Sequence, residues 1–129
     1  MEEPIKHNWQ LVYEDDDQLQ YIDVNNIDYE KDSINYAYVW RRSVYLEVSK
    51  ENKAFDTYCH IDWGNYTQKS IKFIFYKDID CIIMDDEIDD PNSDYEKYEE
   101  GTITYDVIKY VQKHQVLKFI RTGELKKDK

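Results

Sequence analysis

Asp85, Glu87, Asp89, Pro91, Ser93 and Glu96 fall on the ligand positions of a twelve-residue calcium loop, the first arrangement in this sequence that could do chemistry. Three departures count against it. The sixth position, where such a loop turns sharply on Gly, is Asp90; the eighth, normally apolar, is Asn92; and no helical pattern leads in. The stretch therefore reads as a solvated acidic loop, and neither a metal nor another cofactor is expected.

Nucleophilic chemistry finds no better footing. His60 follows Cys59 directly, but a reactive thiol needs its base across space and an electropositive setting, and this chain is acidic. His7 and His114 lie far from each other and from His60, without the spacing of a metal site. Carboxylate pairs for acid and base work have no specificity when 28 carboxylates are present. A Gly-rich phosphate loop, a nucleophile elbow and a zinc signature are all missing from the sequence, so no enzyme class is indicated. Asn65-Tyr66-Thr67 fits a glycosylation acceptor, a triplet common by chance.

Binding is the better expectation. Residues 78–100 hold eleven Asp or Glu against the single Lys97, which is nearly all of the chain's net charge of −11. That sign disfavours nucleic acid or an anionic membrane as direct ligand and favours a protein with a basic surface. Asp85, Asp86, Glu87, Asp89, Asp90, Asp94 and Glu96 form the first candidate contact set. The second is aromatic. Thirteen Tyr, three Trp and four Phe exceed what one small core needs, and Tyr36, Tyr38 and Trp40 alternate onto one strand face, where rigid amphipathic rings suit a protein partner.

The elements that must position these residues are mostly strands, because apolar residues recur with period two. Trp9, Leu11 and Tyr13 open the pattern; the acidic turn Glu14 to Asp17 leads into Leu19 to Val24; Asn25-Asn26 turns the chain again. Strands are expected over Ile34 to Trp40, through Val44, Leu46 and Val48, over Phe55 to Trp63, and through Ile71 to Tyr76 with the run Cys81 to Met84. The acidic segment 78–100 is expected as a loop, Thr102 to Tyr105 as a last strand, and a helix from about 106 to 121, capped by Asp106, stopped by Gly123 and followed by a frayed tail, Lys126 to Lys129. The fold class is thus α+β, mainly β: a twisted antiparallel sheet of about six or seven strands with a C-terminal helix.

At 129 residues the chain has room for one core, and a single domain over 1–129 is expected. Cys59 and Cys81 are too few for a disulfide framework; one bridge and two buried thiols both fit. No apolar run is long enough to cross a bilayer, and the first eight residues lack a hydrophobic signal core.

The first forty residues resemble the surface-adhesin protein E family of small bacterial exported proteins, on Trp9, the polar turn Glu14 to Asp17, the segment Tyr21 to Ile27 and the closing Val39-Trp40. The stretch Val116 to Leu125 is similar to that family's ending. The resemblance implies a twisted antiparallel sheet with C-terminal helical packing, a location outside the cytoplasmic membrane, and binding of host or surface proteins. It transfers no binding residue. A non-enzymatic, adhesin-like protein-binding domain is accordingly one expectation. The other is an intracellular acidic inhibitor or immunity protein that fills the basic groove of a nucleic-acid-processing enzyme by mimicking the nucleic acid.

Overall fold

The structure, a computed structural model, describes residues 6–29, 36–46, 53–62, 64–90 and 92–122; for Tyr29 and residues 115–122 it describes the backbone only. Its elements in chain order are β1 (Trp9–Glu14), β2 (Gln18–Asp23), β3 (Asp28–Tyr29), β4 (Tyr36–Tyr45), β5 (Ala54–Asp62), β6 (Thr67–Tyr76), β7 (Met84–Asp89), β8 (Glu96–Lys97) and α1 (Ile103–Thr122). The strands make one open antiparallel sheet in the order β1-β2-β4-β5-β6-β7, with β3 added to β4 and β8 to β6. The expected class, mainly antiparallel sheet with a C-terminal helix, is the class observed.

Alternation along the central strands decides what is buried. Ala37 and Val39 on β4 face the same side as Cys59 and Ile61 on β5 and Ile22 on β2, and Val107, Ile108 and Val111 of α1 close over them, all at most 1% exposed. Val111 follows Val107 by four positions and Ile108 by three, so the three make one stripe of a helix laid on one sheet face. The opposite face carries Tyr36, Tyr38, Trp40 and Arg42 of β4 beside His60, Tyr58 and Asp56 of β5.

Four expectations need correction. β4 is one ten-residue strand where two were expected, because Arg41, Arg42 and Ser43 each find a partner within the sheet and continue the ladder. Thr102 to Tyr105 is not a strand: α1 begins at Ile103, and Thr102, not Asp106, is its cap, with its Oγ1 accepting from Tyr105 N at 3.2 Å and Gly101 turning into it at φ 89°. The run Cys81 to Ile83 is turn, and β7 starts at Met84. The acidic segment 78–100 is not a loop throughout, since β7 and β8 lie within it. Between them the chain keeps to the same border, with Asp90 N donating to Ile71 O and Ser93 Oγ to Ser70 O. Ile34, Val48, Trp63, Gly123 and the expected tail lie outside the described residues.

Candidate interaction surfaces

β7 and β8 together run along the outer border of β6, so the acidic candidates form one edge of the sheet. Register divides them by face. Asp89 pairs with Lys72 and Glu87 with Ile74 on one side, whereas Asp86 pairs with Phe75 and Ile88 with Phe73 on the other. Lys72 reaches Glu87 at 2.5 Å and Asp89 at 3.7 Å, and Lys77 reaches Asp85 at 3.8 Å. The Lys72 ammonium is held above its ordinary pKa, chiefly by the hydrogen bond to Glu87. Asp90, Asp94 and Glu96 continue the exposed border toward β8. The calcium-loop spacing of Asp85 to Glu96 is not folded as such a loop: Asp85, Glu87 and Asp89 lie in the extended strand β7, where residues two apart stand about 6.8 Å from each other, and no group of three or more His, Cys, Asp or Glu among the described residues is placed to hold a metal ion.

The β6–β7 hairpin carries a feature the acidic composition concealed. Ile79, Ile82, Ile83 and Met84 are 50%, 78%, 55% and 58% exposed, with Ile88 behind them at 45%. The turn that presents them is tightly organised. Asp78 accepts from Ile82 N and Ile83 N at 2.9 to 3.1 Å, and Lys77 N closes on Ile83 O at 2.9 Å. Those backbone donors hold the Asp78 carboxylate below its usual pKa. The sequence signal was present in Ile79, Ile82 and Ile83, but flanking acids made the stretch read as a solvated loop.

The aromatic candidates occupy the sheet face opposite α1. Tyr38 stacks on Tyr58, Tyr36 stacks on His60, and His60 Nδ1 lies 2.6 Å from the Tyr95 hydroxyl. Tyr95 belongs to the acidic border, so the two candidate sets meet through the His60–Tyr95 contact. Trp40 is 8% exposed beneath His7 and Tyr58, which leaves Tyr36 and Tyr38 as the half-buried rings of the original trio.

The same face contains a buried ion pair. Arg42 grips Asp56 through Nε to Oδ1 at 2.6 Å and Nη2 to Oδ2 at 2.9 Å, lies 4.3 Å from the Trp9 ring, and shares Asp56 with the Tyr76 hydroxyl at 2.9 Å. Burial and the Asp56 carboxylate push the Tyr76 phenol up to about 12. Cys59 and His60 face opposite sides of the sheet as strand neighbours must, and burial raises the Cys59 thiol, so they form no catalytic pair. Cys59 and Cys81 are both free thiols. Cys59 lies under α1, while Cys81, pushed up to about 11 by burial, sits in the hairpin turn with Arg42 and Asp56 near it.

No family model, curated protein or solved structure matches this chain.

Proposed function

We propose that this is a protein-binding domain whose contact is the β6–β7 hairpin and the acidic edge beside it. The observation that supports this reading is the cluster Ile79, Ile82, Ile83 and Met84, half or more exposed in a turn fixed by Asp78 and flanked by Asp80, Asp85 and Asp86. A rigid apolar centre inside a charged rim has the anatomy of a protein contact, and large exposed apolar side chains are otherwise an aggregation hazard. Charge fixes the partner's chemistry: an apolar socket bordered by Lys and Arg.

A line of carboxylates on a regular strand also suits a long cationic groove of the kind that holds a nucleic acid strand, and this supports the inhibitor form of the proposal. Residues two apart on β7 repeat at about 6.8 Å, which spaces charge evenly along the edge. The adhesin-like form would use the same surface on a cell-surface protein.

Affinity capture from the source organism with the wild-type chain and with an Ile82→Ser, Ile83→Ser, Met84→Ser variant tests the site. A specific partner should be held by the first and lost by the second, and equal retention would reject the hairpin as the contact. With that partner in hand, neutralising Asp85, Asp86, Glu87, Asp89 and Asp90 to Asn and Gln should slow association about tenfold at low salt and flatten its salt dependence.

A further inference from the structure

α1 covers one end of the sheet and leaves the other end of the same face open. β4 and β6, ten residues each, run about 33 Å, and a helix with its side chains is about 10 to 12 Å across. Val107, Ile108 and Val111 close over Ala37, Val39, Cys59 and Ile61, at one end of β4 and β5. Farther along, Gln20, Arg41, Ser43 and Thr57 make a polar strip and line a cavity of about 270 Å³ beside Ile103 and Thr104, the first residues of α1. Beside and beyond that strip lie Phe55 of β5, Phe73 and Phe75 of β6 and Ile88 of β7, which register places on the α1 side of the sheet. Phe73 and Phe75 stack at 5.8 Å, and Phe55 lies 6.2 Å and 5.9 Å from them. The three rings are half-buried, Ile88 is 45% exposed, and none of the four belongs to the core under α1.

The open ground has the dimensions of a second helix. Phe55 and Cys59 are four residues apart on β5, about 13 Å, and packed helices stand about 8 to 10 Å apart, so a helix laid beside α1 would rest on the rings. A cleft of about 500 Å³ continues the space to the sheet border, lined by Gln68, Ser70 and Phe73 and by Asp90, Asp94 and Glu96. The cavity and the cleft share Gln68, Ser70 and Phe73 and so form one groove. Asp86, opposite Phe75, puts a further carboxylate on this face. Among the described residues lining the cleft there is no Lys or Arg to balance these acids.

We propose that this groove receives an amphipathic helix of a partner protein, with its apolar stripe on Phe55, Phe73, Phe75 and Ile88 and with Lys or Arg where it crosses the border at Asp86, Asp90 and Asp94. Charge chooses the occupant. A second copy of this chain would bring one set of border acids against the same acids, whereas a basic helix meets them with the opposite sign. The backbone groups of these central strands are paired within the sheet, so the face offers side chains alone, and a helix presents such a row along one stripe. Contiguous exposed apolar side chains rimmed by charge mark contacts of this kind. The proposal rests on the protein-binding reading but not on the hairpin, since Ile82 and Ile83 lie in the turn and neither lines the groove.

The probe is a synthetic peptide of about 18 Leu and Lys residues with every Leu on one helical face. Titrated into the full chain by calorimetry, it should bind saturably at one site. Rearranging its residues to remove the stripe, or replacing Lys by Glu, should weaken binding at least about tenfold. A nitroxide at the centre of the peptide should broaden the ring resonances of Phe55, Phe73 and Phe75 and spare those of Tyr38 on the opposite face. Phe75→Ser and Ile88→Ser, which leave the charge untouched, should each weaken binding about fivefold or more, whereas Ile82→Ser with Ile83→Ser should leave it unchanged. Ile88 is an exposed edge residue, so Ile88→Ser reports on the groove even if Phe75→Ser does not fold. Equal affinity for the rearranged peptide, indifference to Ile88→Ser, or a loss confined to the hairpin variant would overturn the proposal. A wild-type dimer that Ile88→Ser dissolves would overturn it too, by giving the face to a second copy. A groove that fails these tests leaves capture through the hairpin intact, so the two readings fall separately.

Discussion

Arg41 and Arg42 are adjacent in the chain, and the pleat of β4 sends them into opposite circumstances. On the aromatic face Arg42 has a bidentate carboxylate, a Trp ring 4.3 Å away and a Tyr hydroxyl sharing its partner. On the helix face Arg41 has one amide oxygen and an Nε buried without a hydrogen-bond partner. Saturation marks a side chain that holds the fold together; incomplete satisfaction of a half-buried cation, with no acid to meet it, marks one on which the fold depends less. One face is finished and the other is not.

The largest effect should come from the finished face. Arg42→Ala strands the Asp56 carboxylate, 2% exposed, and should cost about 3 to 5 kcal/mol in urea denaturation, while Arg41→Ala should cost about 1 kcal/mol for one hydrogen bond. Asp56→Ala should cost about as much as Arg42→Ala. The double variant should be little worse than either single one, because the second change removes a partner already stranded. Equal losses at Arg41 and Arg42 would break the comparison.

Asp23 is the second saturated charge, and pH reaches it. It is fully buried and accepts from Asn8 N at 2.9 Å, Asn25 N at 3.1 Å and Asn26 Nδ2 at 2.7 Å, with the His7 ring on the same carboxylate. Burial alone would raise its pKa, but these bonds outweigh burial and hold it below the usual value. A depressed folded-state pKa means that the contribution is present above the unfolded pKa of about 4 and is lost as pH falls through the folded value. Asp23→Ala should therefore cost about 2 to 3 kcal/mol at pH 7, and the gap from wild type should narrow below about pH 4. A gap constant from pH 7 to pH 3 would remove Asp23 as a charged anchor.

How much of this the sequence foretold differs between the two faces. The strand alternation through Tyr36, Ala37, Tyr38, Val39 and Trp40, and the Val107, Ile108, Val111 stripe, follow from periodicity alone, and the fold class followed with them. The cavity was legible in principle. Gln20 is in phase with buried Ile22, Arg41 and Ser43 with Ala37 and Val39, and Thr57 with Cys59 and Ile61, so polar residues recur at core-facing positions. The expected gap between the strands at Trp40 and Val44 falls on Arg41 and Ser43, because which polar residues meet depends on register between strands far apart in sequence. β7 was missed for a related reason. Six residues with three Asp and one Glu have little strand propensity of their own, and the free border of β6 with Lys72 and Lys77 supplies what they lack.

The smallest effect on stability should come from the acidic edge, and it separates the border charges from the buried ones. The ion pairs of Glu87 and Asp89 with Lys72, and of Asp85 with Lys77, are made by half-exposed side chains, where such pairs contribute about 0 to 1 kcal/mol and repulsion among neighbouring acids offsets part of that. Converting Asp85, Asp86, Glu87, Asp89 and Asp90 to Asn and Gln should thus leave the urea midpoint within about 1 kcal/mol of wild type, against the larger cost of the single change at Asp56. The acids have a second consequence. β7 ends the sheet, and an exposed edge strand carrying Ile88 and Met84 is a template for pairing with another chain unless like charge keeps copies apart. The neutralised variant should then elute from a sizing column progressively earlier as its concentration rises, while the wild type does not. A variant that loses several kcal/mol would place the border acids with Asp56 among the groups that hold the sheet together, and a variant that keeps both its stability and its size would show that the charge is not what keeps copies of this edge apart.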